Sequence, residues 1–300
     1  MNVLLCGEWS ADERSEWLSA LSTAMPEAQW LDRAAALAVA DEVQAAVVAN
    51  PLPGSLQGLP RLRLVQSLWA GVERLLADAT LAPGVVVARM VDPAMTAAMA
   101  ETALWAVLSL HRGFFAYAQH QREEVWRVHT QRRADEVRVL VLGQGQMGCA
   151  VVARIAPLGY ALGTWRRDGT ALLPLLASAD IVINLLPLTP QTRGLLDHRF
   201  FAALPDQASI VNLGRGAHVV DADLLAALVS GRLRHAVLDV FHTEPLPPQH
   251  AVWRHPRVTM LPHAAAGTDA RSAAAVAVAN LRAWRDGGEV LHRVERRRGY

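Results

Sequence analysis

Short apolar runs recur along the chain at the spacing of strands in a parallel sheet. They fall at residues 2–6, 45–49, 62–65 and 85–88, and again at 137–142, 181–186, 208–213, 236–240 and 258–261. Helical patterns or Pro/Gly-rich turns such as Asn50-Pro-Leu-Pro-Gly54 separate them. Ser10-Ala-Asp-Glu13 reads as a helix cap and first turn directly after the first strand. Strands alternating with helices imply parallel sheets joined by right-handed crossovers.

The rhythm breaks near Asp92-Pro93 and restarts at Val137. In the gap, Ala94 to Leu110 has a helical pattern whose one acid is Glu101, and an aromatic, basic segment follows from Phe114 to Trp126. A helix apolar nearly all round calls for burial. The expectation is a hinge helix buried between domains and between subunits, feeding an arm that builds a symmetric homodimer. After Ala266 a last Ala/Val-rich helix, residues 269–286, leaves the second sheet, ends at Gly287-Gly288 and returns to the first domain. The predicted architecture is α/β, two Rossmann-like or flavodoxin-like parallel-sheet domains with the active site in the cleft between them. Residues 1–93 with 269–300 form a substrate-binding domain, and 94–268 an NAD(P)-binding Rossmann domain.

The most informative stretch is Val137 to Arg167: an apolar run, the turn Gly143-Gln-Gly145-Gln146-Met147-Gly148, a helical run to Leu158, and a second strand ending at Trp165. Gly143 permits the tight turn, Gly145 lets backbone approach a pyrophosphate, and Gly148 allows close packing of helix on strand. The helix start offers free N–H groups and a positive dipole end to phosphates. A dinucleotide site follows from this turn in its strand–helix context. An NAD-preferring site places an acid at the end of the second strand, about twenty residues beyond the glycines. Here that position, 18 residues beyond Gly148, holds Arg166, with Arg167 beside it. A guanidinium pairs with the adenosine phosphate that an acid would repel, so NADP(H) is favoured over NAD(H).

Bulk composition narrows the remaining choices. With 52% apolar residues and 19% charged ones, 300 residues bury two cores. A formal charge of +1 gives no electrostatic reason for nucleic acid or an anionic membrane surface as partner. The N-terminus lacks a signal peptide's pattern, and no uncharged apolar run is read as long enough for a membrane span, so a soluble cytoplasmic protein is expected. Cys6 and Cys149 are read as small core fillers, and the histidines other than His263 as surface or arm residues.

Three segments, each following a predicted strand, supply the chemistry: Asn212-Leu213-Gly-Arg215-Gly216, Asp239-Val-Phe-His-Thr-Glu244-Pro245, and Leu261-Pro262-His263. An arginine between glycines is free to reach a carboxylate. A glutamate before proline is held rigidly, and a carboxylate near an imidazole favours its charged form. Reduction of a 2-keto acid needs these parts: an arginine to grip the carboxylate and polarise the ketone, a histidine to supply the proton, and a carboxylate to support it. No metal is required.

These segments resemble the D-isomer-specific 2-hydroxyacid dehydrogenases, and within them the glyoxylate/hydroxypyruvate-reducing branch. The likeness is strongest in the glycine loop, 183–192, 212–220, 236–248 and 253–266, and it extends to the terminal Arg-Gly-Tyr300. The resemblance implies a catalytic triad of Arg215, Glu244 and His263. It places Asp239 at the nicotinamide carboxamide and Leu186, Pro187, Thr192 and Leu213 along the cofactor. Leu68-Trp69-Ala70-Gly71-Val72 matches the family's substrate loop, whose backbone N–H groups bind the substrate carboxylate. The absent acid at Arg166 fits the NADPH-using branch. Gly214 stands where the family usually has alanine, a change expected to be harmless. The implied activity is NADPH-dependent reduction of small 2-keto acids to D-2-hydroxy acids. The alternatives are a dehydrogenase of larger 2-keto acids using NAD(H), and a nucleotide-sensing protein like the family's corepressors.

Overall fold

The apolar runs do become parallel strands, in two sheets. The structure is a computed structural model describing residues 1–299; Tyr300, which contributes to the terminal resemblance, lies outside the described residues. The chain divides into one unit of Met1–Met95 with the segment from Thr268 onward, and a second of Thr96–Gly267.

The first unit runs β1 (Asn2–Gly7), α1 (Ala11–Ala24), β2 (Gln29–Leu31), α2 (Arg33–Ala38), β3 (Val43–Ala49), β4 (Leu64–Ser67), α3 (Glu73–Leu76) and β5 (Val86–Ala88). The sheet order is β2-β1-β3-β4-β5 with every pairing parallel, the flavodoxin-like order. Ser10 caps α1 as its spacing predicts: its hydroxyl accepts from the Glu13 N–H, and the Glu13 carboxylate accepts from the Ser10 N–H. Two strands depart from expectation. β2 has three residues, too few to show a period. β4 lies two residues later than the apolar run, because Leu62 closes a turn on Leu59. Polar Gln66 and Ser67 disguise β4's end. Both are buried, and the Gln66 side chain is satisfied internally, donating to the Ser67 carbonyl and accepting from Asn280.

The second unit is entered on α4 (Pro93–Arg112) and α5 (Phe114–Arg122). α4 is by length and composition able to cross a membrane, although it is not an uncharged run, since it carries Glu101. One face explains its apolarity: Met99, Ala103, Ala106, Val107 and Leu110 are buried against Val139, Val141, Val151 and Ile155. It is a core helix on that side, and Trp105 and Glu101 on another side are exposed rather than buried. Then come β6 (Arg138–Leu142), α6 (Gln146–Ile155), β7 (Ala161–Trp165), α7 (Leu173–Leu176), β8 (Ile181–Asn184), α8 (His198–Ala203), β9 (Ala208–Asn212), α9 (Asp221–Val229), β10 (Leu233–Leu238) and β11 (Val258–Met260). All six strands are parallel, in the order β11-β10-β9-β8-β6-β7. Alternate residues feed two cores, Leu140, Val182, Ile210 and Leu238 on one face and Val139, Ile183, Val211 and Val237 on the other. Strand order reverses between β6 and β8, and in such sheets ligands bind beyond the carboxyl ends of the strands at that reversal. α10 (Ala270–Arg285), capped by the Asp269 carboxylate, rejoins the first unit.

The cysteines separate. Cys6 is partly buried against the first core, and burial pushes its thiol up to about 11. Cys149 is exposed, not a core filler, because it sits in the first turn of α6 on the side away from the sheet.

Candidate active site

Five loops leave the carboxyl edge of the second sheet, after β6, β8, β9, β10 and β11, and each begins with a residue tied to its neighbour strand. The glycine loop turns at Gly143, whose φ of +107° is closed to most side chains. A Cβ there would also lie 2.9 Å from the Leu185 carbonyl oxygen, so the loop packs directly on the chain leaving β8. At Gly148 a Cβ would lie 1.8 Å from the Gly143 carbonyl oxygen, making this glycine indispensable. Gly145 differs, since a Cβ there would meet nothing within 4 Å. The protein itself does not require that glycine. A space kept clear at the N-cap of α6, over the first-turn amides of Gln146 and Met147, fits a pyrophosphate. The Met147 side chain packs on the core.

At the end of β7 the three candidate residues behave differently. Trp165 is buried, and its indole N–H donates to the Thr170 carbonyl (2.9 Å), so its side chain shapes the turn. Arg166 and Arg167 are exposed. Asp168 anchors the turn, accepting from the Arg166 Nε at 2.7 Å and from the Thr170 N–H and hydroxyl. Those bonds pull its carboxyl down to about 2. The Arg166 Nε contact holds the guanidinium by its inner edge.

The loop after β9 carries Arg215 in extended backbone, its guanidinium donating to the Gly214 carbonyl. Gly216 brings this loop against the next, because a Cβ there would lie 2.0 Å from the Phe241 carbonyl carbon. Phe241 in turn donates its N–H to Glu244 Oε1 at 2.8 Å. The other carboxylate oxygen, Oε2, pairs with His263 Nδ1 at 2.7 Å. His263 sits at φ +55°, a left-handed conformation rarely held by non-glycine residues and found where surroundings over-determine it. Those surroundings are explicit. The His263 N–H donates to the Asp239 carbonyl, and buried Asp239 Oδ1 accepts from the N–H groups of Ala264 (2.7 Å) and Ala265 (3.1 Å). The structure therefore gathers Arg215, Glu244 and His263 in adjoining loops, with Glu244 and His263 in direct contact.

Beneath Arg215 lies a group that the sequence reading missed. His218, taken as a surface residue, is fully buried beside Asn184 and Asn212. The usable signal was an asparagine closing two apolar strands, Ile181–Asn184 and Ala208–Asn212, at paired register positions. Leu186, Pro187 and Leu213 adjoin this group, and the Thr192 hydroxyl donates to the Pro187 carbonyl at 2.8 Å. Gly214 is tight rather than roomy: a Cβ would stand 3.0 Å from Asn184 Nδ2 and 3.2 Å from His218 Nδ1, so alanine there needs a small shift of both.

In the first unit, the loop after β4 is fixed by Ser67. Its hydroxyl accepts from the Trp69 N–H and donates to the Trp69 carbonyl, both at 3.0 Å, while the Leu68 N–H donates to Val48. The amides of Leu68 and Trp69 in this loop therefore already have acceptors. The Trp69 ring meets buried Trp17 edge-on at 6.0 Å. Ala70 and Gly71 follow, half-buried.

An α/β protein with a dinucleotide loop and an Arg/Glu/His constellation after successive strands has the parts of a nicotinamide-dependent hydroxyacid dehydrogenase. Residues 104–265 match the family model of the D-isomer specific 2-hydroxyacid dehydrogenase NAD binding domain. A glyoxylate/hydroxypyruvate reductase A of Serratia proteamaculans is 38% identical over 285 residues, 89% of this chain and 90% of that one. Among solved structures, a D-isomer specific 2-hydroxyacid dehydrogenase of Xanthobacter autotrophicus in complex with NADPH is 35% identical, with a TM-score of 0.92 over 100% of this chain and 99% of that one. An NADPH-dependent glyoxylate/hydroxypyruvate reductase of Sinorhizobium meliloti, bound to NADP and sulfate, is 30% identical with a TM-score of 0.91 over 100% of this chain and 99% of that one. The chain belongs to the D-isomer specific 2-hydroxyacid dehydrogenase family.

Proposed function

We propose that the protein is an NADPH-dependent reductase of small 2-keto acids such as glyoxylate and hydroxypyruvate, giving D-2-hydroxy acids. The observation that carries this is the 2.7 Å pair of Glu244 and His263, in loops adjoining that of Arg215, on a sheet that opens with a dinucleotide turn. The relatives' cofactors and substrates support the same reading. Residues 94–268 act as the cofactor domain, and 1–93 with 269–300 as the substrate domain.

Reduction adds a hydride at the ketone carbon and a proton at its oxygen. Bound NADPH supplies the hydride. It would be held by Gly143, Gly145, Gln146, Met147 and Gly148 at the pyrophosphate, by Arg166 and Arg167 at the adenosine phosphate, and by Leu186, Pro187, Thr192 and Leu213 along its length, with Asp239 at the carboxamide. Arg215 binds the substrate carboxylate and draws charge toward the ketone oxygen. His263 Nδ1–H points to Glu244, which leaves Nε2 to give the proton to that oxygen. After transfer the imidazole is left as the Nδ1–H tautomer that Glu244 already holds. In the first unit, Ala70 and Gly71 are the backbone donors proposed for the substrate, and Trp69 contributes its ring rather than its N–H.

The arm supports a homodimer. Trp126 is 99% exposed and Val128 80% exposed, close in sequence to exposed Phe114, an apolar surface that a second copy would cover. We place the enzyme in the cytoplasm. The direct test mixes the protein with glyoxylate and either NADPH or NADH and follows loss of the reduced nicotinamide. Faster turnover with NADPH is expected, and no turnover with any short 2-keto acid overturns the proposal.

A further inference from the structure

We infer that His218, together with Asn184 and Asn212, is a positioning set for Arg215, a role that rests on the reading of Arg215 as the substrate-gripping group. The three side chains are fully buried under the loop after β9. Asn184 Nδ2 donates to Asn212 Oδ1 and to His218 Nδ1, both at 2.9 Å. Asn212 Oδ1 also accepts from the Gly214 N–H at 3.3 Å, and Asn212 Nδ2 donates to the Arg215 carbonyl at 3.1 Å. The Arg215 N–H donates to His218 Nδ1 at 3.2 Å. Both backbone polar groups of Arg215, and the amide before it, therefore end on these side chains.

The imidazole's protonation follows from its partners. Nδ1 accepts from two N–H donors and so carries no proton, while Nε2 faces the Pro187 carbonyl at 3.3 Å and bears it. An apolar residue at 218 leaves the Asn184 amide and the Arg215 N–H as buried donors without that acceptor, which the loop relieves by moving. The same residues hold the segment proposed to line the cofactor. Asn184 Oδ1 accepts from the Leu186 N–H, and the carbonyls of Ala217 and His218 accept from Gly194 and Leu196. One buried imidazole thus ties the arginine loop to the cofactor segment. The tight fit around Gly214 belongs to this arrangement, since two of its three nearest atoms are Asn184 Nδ2 and His218 Nδ1.

The test compares wild type with His218→Leu and His218→Asn by steady-state kinetics with NADPH and glyoxylate, together with NADPH binding and thermal melting. For His218→Leu, KM for glyoxylate should rise about tenfold and kcat fall about tenfold, the scale on which a displaced substrate clamp acts. NADPH affinity should change less than about threefold, because the phosphate-binding turn is untouched. His218→Asn should recover at least about tenfold in kcat/KM, since its amide oxygen replaces Nδ1 as acceptor. A purely structural role would show in the melting temperature alone and leave KM unchanged. Should His218→Leu not fold, the contrast is read between His218→Asn and His218→Gln, whose amide sits at the Nε2 position, and the asparagine variant must be the better enzyme. His218→Leu within about threefold of wild type, or His218→Asn no better than its apolar or longer counterpart, overturns the inference. A wild-type protein without turnover overturns the reading of the reaction, and this role with it.

Discussion

Two layers of the second unit make an instructive contrast. Glu244 and His263 lie at the surface, their side chains 34% and 52% exposed. Asn184, Asn212, His218 and Asp239 lie beneath the same loops and are buried. The upper layer is open to solvent, and its two side chains hold each other. The lower layer has almost no exposure and a hydrogen bond for nearly every polar group it presents. Acting groups must meet solvent and substrate, whereas the groups that aim them work best in a low dielectric where each bond is strong and each vacancy costly. Loss in the upper layer should therefore strip chemistry and spare the fold, while loss in the lower layer should damage both.

The largest expected effect belongs to the upper layer. His263→Ala should lower kcat by about 10²–10⁴, the usual share of general acid catalysis, with the thermal melt and NADPH affinity close to wild type. Near-wild-type turnover would remove His263 from its role. Next comes Asp239→Ala beneath it, which leaves the Ala264 and Ala265 amides without their acceptor and frees the strained His263 backbone. Urea unfolding should show a loss of about 2–4 kcal/mol, and turnover should fall as well. Stability unchanged by this substitution would erase the distinction between layers.

Arg166→Asp tests the exposed rim alone. It should shift the NADPH/NADH preference ratio toward NADH by about tenfold or more, since one charge-assisted phosphate contact becomes a repulsion. An unchanged ratio would move cofactor choice elsewhere, with Arg167 the next candidate. A last effect, on stability alone, lies outside both layers, in the first half of β10. His235 stacks on Phe115 at 4.6 Å and bonds Thr259, and burial lowers its pKa to about 4. A histidine whose folded pKa is depressed binds more protons unfolded, so its penalty is absent above the unfolded value near 6.5 and grows as pH falls toward 4. His235→Phe should flatten the decline in stability over that window by on the order of 2 kcal/mol, and an identical slope would show that His235 does not contribute.

The same contrast explains what could be read from the sequence. Strand positions were legible where apolar residues run together, as in β6 and β8, whereas β10 begins three residues before its apolar run because Arg234 and His235 interrupt it. The short motifs around Arg215, Glu244 and His263, flanked by Gly or Pro, also stood out in the sequence. The supporting layer was not. His218 looks like any loop histidine until the Leu196–Val219 bridge and the paired asparagines close over it. β2 and the true bounds of β4 were hidden for a related reason, one too short to show a period and the other ending in polar residues satisfied only across the tertiary structure. The Trp69 amide bonds a serine two residues earlier, a contact that no motif shows. Propensity and motif report what a residue can do. Which hydrogen bonds are already spoken for is decided by the fold.

The most direct test of the proposed reaction is the stereochemistry of its product. Hydroxypyruvate reduced by the purified protein with NADPH should give D-glycerate, resolved by chiral chromatography, because Arg215, His263 and the nicotinamide would present one face of the ketone to the hydride. L-glycerate, a racemic mixture or no glycerate would contradict it.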